Sequence, residues 1–64
     1  MIVLNGQPHP VATPLTLADL LAGLGYTSGF AVAINRAFVP RSEYAETTLR
    51  TGDEVEVLTP RQGG

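Results

Sequence analysis

The chain predicts an α+β fold: a small mixed sheet with one main helix packed on one face. Three observations carry that expectation. β-branched and aliphatic runs stand at residues 1–4 and at Glu54–Leu58, leucines recur at helical spacing between Leu17 and Leu24, and turn residues punctuate what lies between. At 64 residues the chain has room for one domain, and its 44% apolar content argues against disorder.

Residues 1–4 read as a first strand, ended by Asn5-Gly6, a dipeptide that suits a type I′ hairpin because both residues tolerate positive φ. A second strand follows over residues 7–12. Its prolines, Pro8 and Pro10, each lack a backbone donor and confine it to the edge of the sheet. Thr16 followed by Asp19 resembles a capping box, and Leu17, Leu20, Leu21 and Leu24 fall at i, i+3, i+4 and i+7, one apolar stripe of a helix over Leu17–Leu24. Gly25 supplies the left-handed residue that stops it.

Residues 30–34 predict the next strand, with Phe30, Val32 and Ile34 facing the leucine stripe and Ala31 and Ala33 on the other face. After a turn at Asn35-Arg36, Phe38 and Val39 form a very short strand that Pro40 keeps from pairing regularly. Residues 42–49 hold a short helical turn capped by Ser42. Gly52-Asp53 turns the chain into the last strand, Glu54–Leu58, with Val55 and Val57 inward and Glu54, Glu56 and Leu58 outward. The order strand, strand, helix, strand, short strand, strand is the β-grasp order, in which the proline-free first and last strands lie parallel at the centre. Residues 1–59 form that domain, and residues 60–64, without apolar periodicity, form a flexible C-terminal tail ending in Gly63-Gly64.

Composition narrows the function. Cysteine is absent, which excludes disulfides, thiolate metal sites and a thiol nucleophile and suits a cytoplasmic protein. The basic residues, Arg36, Arg41, Arg50 and Arg61, are scattered and the net charge is -2, so no nucleic-acid footprint is expected. No apolar run approaches the roughly 18 residues that cross a bilayer, and the first residues lack the basic start of a signal peptide. Lysine is also absent, leaving no side-chain amine on which copies could be chained. No metal cluster or nucleophile–base pair points to an enzyme. Gly63-Gly64 is then the most informative feature. A carboxylate carried on two residues without side chains enters a narrow active site that bulkier endings would block.

The compact opening with Asn5-Gly6, the helix Thr16-Leu17-Ala18-Asp19-Leu20-Leu21, the segment Val32-Ala33-Ile34-Asn35 with Val39-Pro40-Arg41, the Gly52-Asp53-Glu54-Val55 turn and the terminal Gly63-Gly64 together resemble the ThiS family. These are the sulfur carriers of thiamin biosynthesis, in the ubiquitin-like group. The likeness spans nearly the whole chain; Tyr44 departs from the tryptophan expected in many relatives but keeps an aromatic. The resemblance implies a carrier that is not itself an enzyme and binds no cofactor. A ubiquitin-activating-like enzyme would spend ATP to adenylate the Gly64 carboxylate. A sulfur donor, such as a cysteine desulfurase, would convert it to a thiocarboxylate, and thiazole synthase would take the sulfur.

Leu58, outward at the base of the tail, reads as an anchor for those partners or as an ordinary exposed leucine. Pro60 and Arg61 join it as partner-binding candidates, Arg61 facing an acidic channel, the ATP phosphates or solvent. Glu54 and Glu56 suit a solvated strand face, and His9, between two prolines, a surface histidine. The competing readings are a molybdopterin-type sulfur carrier, whose Phe-Pro-Pro-like lead Leu58-Thr59-Pro60 only echoes, a ubiquitin-like protein modifier, and a β-grasp binding module with an inert tail.

Overall fold

Asn5 and Gly6 both take positive φ, 50° and 81°, and fold β1 (Ile2–Leu4) back onto β2 (Gln7–His9) with Leu4 opposite Gln7. This is the two-residue hairpin the dipeptide predicts, seen in a computed structural model that describes residues 1–59. β2 ends at His9, short of the expected residue 12. Its partner is exhausted where His9 meets Ile2, and Pro10 has no N–H with which to extend the ladder.

β3 (Leu15–Thr16) leads directly into α1 (Leu17–Leu24). The Thr16 side chain accepts a hydrogen bond from the Asp19 N–H at 3.1 Å, and Gly25 closes the helix at φ 85°, so both ends fall where the sequence puts them. Three of the four stripe leucines, Leu17, Leu20 and Leu21, are buried. Leu24 is 37% exposed, a correction to the four-leucine core. It has the right angular position but sits in the last turn, at the rim of the core, where it lines a groove with Leu15, Val11 and His9.

β4 (Ala31–Ile34) and β5 (Ala37–Val39) form a second hairpin about Asn35 and Arg36, both left-handed at φ 50° and 71°. Two details differ from the sequence reading. Phe30 precedes the strand, stacking on Tyr44 at 6.0 Å and tilting against Tyr26 at 5.4 Å, and β5 pairs regularly through all three residues because Pro40 falls just beyond its end.

Ser42 caps nothing. Extended Pro40 occupies the cap position of a 3-10 helix over Arg41–Glu46, and the Glu43 N–H donates to the Pro40 carbonyl at 2.9 Å. Residues 48–49, expected to be helical, form β6 (Thr48–Leu49), which pairs antiparallel with β3 in a separate two-stranded sheet. The Leu17 N–H, at the helix start where no intrahelical acceptor exists, donates to the Thr47 carbonyl at 2.8 Å.

β7 (Glu54–Leu58) lies at the middle of the main sheet, ordered β2-β1-β7-β4-β5. It runs parallel to β1 and antiparallel to β4. Val55 and Val57 are buried against α1 with Ile2, Val32 and Val39, while Leu49 seals the far side of the core. One helix grasped by a five-stranded mixed sheet is the β-grasp architecture.

Candidate functional site

Period-two alternation along β7 decides what surrounds the point where the chain leaves the sheet. With Val55 and Val57 inward, Glu54, Glu56 and Leu58 are presented on the solvent face, and Leu58 is 62% exposed. Register completes the surface. Ala31 of β4 lies opposite Leu58, Ala33 lies opposite Glu56, and Phe38 of β5 lies opposite Ala33. Phe38 is 69% exposed. Two large apolar side chains therefore stand on a floor of two alanines, with the acidic Glu54 and Glu56 toward the start of the strand.

An open groove of about 480 Å³ lies beside the root of the tail, lined by Gly29, Phe30, Ala31, Leu58 and Thr59. A more polar groove of about 200 Å³ borders Arg36, Glu54 and Glu56 at the other end of β7. An apolar centre with a charged margin is the anatomy of a protein-binding surface. Among the described residues no group of three or more His, Asp or Glu side chains is placed to hold a metal, and no helix is long and apolar enough to cross a membrane.

Two asparagines fix the strand that carries this face. The Asn35 Oδ1 accepts from the Glu54 N–H at 3.0 Å while its Nδ2 donates to Asp53 Oδ1 at 3.2 Å. Asp53 Oδ2 in turn accepts from the Arg50 N–H at 2.9 Å, bracing the Gly52-Asp53 turn. On the opposite edge the Asn5 Oδ1 accepts from the Val57 N–H at 2.8 Å. The hairpin turns thus grip β7 from both sides.

Of the sequence-predicted site residues, Leu58 stands where expected, exposed at the end of the central strand. Pro60, Arg61, Gly63 and Gly64 lie outside the described residues. Sequence reasoning missed Phe38 as a surface residue, although its parity was legible: Val39 faces inward, so its neighbour must face out. The roles of Asn5 and Asn35 went further unseen, because a turn asparagine looks the same whether or not its side chain reaches another strand.

The fold and this face define a class: a β-grasp domain whose outer sheet face presents Phe38 and Leu58, the latter at the end of the central strand. Comparison with known proteins carries it to a family. The family model of ThiS matches residues 2–64. The chain is 38% identical over 65 residues to the sulfur carrier protein ThiS of Thermus thermophilus, covering 100% of both. It superposes on the crystal structure of the thiamine biosynthesis protein ThiS from Geobacter metallireducens with a TM-score of 0.85 and 31% identity, covering 98% of this chain and 97% of that one. It is also 41% identical over 64 residues to a thiazole synthase of Magnetococcus marinus, where it spans 98% of its own length but 20% of the relative's. The chain belongs to the ThiS family.

Proposed function

We propose that the chain carries sulfur as a thiocarboxylate on Gly64 and takes part in catalysis as a substrate of partner enzymes, with no active site of its own. The reading rests on its membership of the ThiS family together with two exposed apolar residues on one sheet face, Leu58 at the end of the central strand and Phe38 on the edge strand β5.

The chemistry asks little of the chain. A C-terminal carboxylate is ionised at neutral pH and can attack the α-phosphorus of ATP, releasing pyrophosphate and leaving a mixed acyl-phosphate anhydride. A sulfide-level nucleophile that adds to the activated carbonyl and expels AMP gives the thiocarboxylate directly. A persulfide donor instead gives an acyl disulfide, whose S–S bond a second thiol must reduce to release the thiocarboxylate, that thiol ending in a disulfide with the donor. Since the sulfur rides on the main chain, the lack of cysteine is no obstacle. ATP is consumed by the activating enzyme, and this chain holds no cofactor. Gly63 keeps the approach to the carboxylate free of side chains.

The partners are an adenylating enzyme, a sulfur donor of the cysteine desulfurase kind, and thiazole synthase as acceptor. That a segment similar to this chain makes up a fifth of one thiazole synthase favours the last assignment. Leu58 docks these partners through the sheet face, while Pro60 and Arg61 lead the terminus toward the activating site. The ATP requirement suits the cytoplasm.

The experiment is ATP–pyrophosphate exchange by the adenylating enzyme with wild type, Gly63→Ala and Gly64→Ala. Exchange dependent on the wild-type chain and lowered by about a hundredfold in the variants is expected, the scale of a reacting group displaced by about an ångström. Equal exchange in all three contradicts the reading.

A further inference from the structure

β1 runs out of main chain before β7 does. Their parallel register ends with Leu4 opposite Val55, and Asn5, at φ 50°, turns away after donating its own N–H to the Val55 carbonyl at 2.8 Å. The Val57 N–H, two residues further along, points to the same edge as Val55 and has passed the last β1 residue. Left without an acceptor in a partly buried position, it would weaken the end of the strand. The Asn5 side chain fills the gap, its Oδ1 accepting that N–H at 2.8 Å across 52 residues of sequence. On the other edge Leu58 is held by its pairing with Ala31. The strand is thereby ordered on both edges up to the residue from which the last six residues depart.

We propose that Asn5 is a positioning residue for sulfur loading, an inference that rests on the function proposed above. Its amide oxygen holds the root of the C-terminal segment in line with the docking face, so that a partner seated on Phe38 and Leu58 finds the terminus entering in one direction. Without that bond the end of β7 frays, and each loosened residue must be ordered again, at a cost in chain entropy, whenever the terminus reaches for ATP. A docked but misdirected complex lowers turnover more than it lowers docking.

The test compares Asn5→Gly and Asn5→Asp with wild type in thiocarboxylate formation, at a temperature where thermal melts show all three fully folded. Both replacements tolerate the left-handed turn, and only aspartate keeps a side-chain acceptor. Amide hydrogen exchange at Val57 is followed in parallel. Asn5→Gly is expected to lower kcat by about tenfold with KM changed by less than about threefold, in step with faster exchange at Val57, and Asn5→Asp to restore most of both; tenfold corresponds to about 1.4 kcal/mol of barrier. A purely stabilising bond would leave the kcat of fully folded protein unchanged. Wild-type kcat in Asn5→Gly, or equal losses in the two variants, overturns the inference. If wild type itself takes up no sulfur from an enzyme active on another carrier, the functional reading fails and the inference falls with it.

Discussion

Arg36 sits at φ 71° in a two-residue turn that ordinarily carries glycine at that position. An L-residue there bears about 1–2 kcal/mol of steric cost, against which glycine's larger unfolded-state entropy returns about 0.4–1 kcal/mol. Arg36→Gly is therefore expected to stabilise the fold by about 0.5–1 kcal/mol, raising Tm by several degrees in a domain of this size, as calorimetry would register. A lowered Tm would mean that the arginine holds more than its backbone, in keeping with its place beside Glu54 and Glu56. The matching position of the other hairpin is Gly6, while Asn5 and Asn35 share the first turn position, where asparagine has the easier side chain for left-handed backbone and its oxygen is then available to β7. Turn chemistry was legible at both places because it depends on two adjacent residues. What the side chains reach was not, since their partners stand 19 and 52 positions away.

At the scale of elements, legibility followed length. The five residues of β7 complete two periods of alternation and the eight of α1 complete two turns, enough to fix both type and facing. β3 and β6 have two residues each and carry no period. They exist because α1 and the 3-10 helix bring them together, which is a tertiary cause. Yet β6 supplies Leu49, one of the fully buried side chains. Leu49→Ala should cost about 2–5 kcal/mol, a large share of the stability open to a 64-residue domain, and urea denaturation should show the midpoint falling with little change in slope. Loss below about 1 kcal/mol would mean that the short sheet contributes little to the core. The outer face of the main sheet behaves oppositely. Phe38→Ser and Leu58→Ser, both at exposed positions, should leave thermal stability within about 0.5 kcal/mol. Each should weaken complex formation with the adenylating enzyme by about tenfold or more in calorimetric titration, as for anchors near an interface centre. Unchanged affinity in both would move the docking surface elsewhere on the molecule.

Among the described residues, hydrophobic burial is concentrated between one helix and one sheet face, and the opposite face keeps Phe38 and Leu58 exposed. The central strand joins the two faces, since its valines point into the core while Glu54, Glu56 and Leu58 stand outward. The fold was legible because each level agreed with the next: turn dipeptides, alternation, leucine spacing and strand order all point to one topology. Of the candidate site, the outward facing of Leu58 was legible in the alternation of β7, while Gly63 and Gly64, outside the described residues, were read from residue type alone, because glycine and a main-chain carboxylate have no side chain whose surroundings identify them. Sulfur carried on Gly64, as proposed, is read in the intact mass of the chain after incubation with ATP, the adenylating enzyme and a sulfur donor, beside a variant lacking Gly64. An ATP-dependent gain equal to one oxygen exchanged for one sulfur, absent in the variant, is expected. An unchanged mass, with the enzyme active on another carrier, would contradict it and leave the chain a modifier or a binding module.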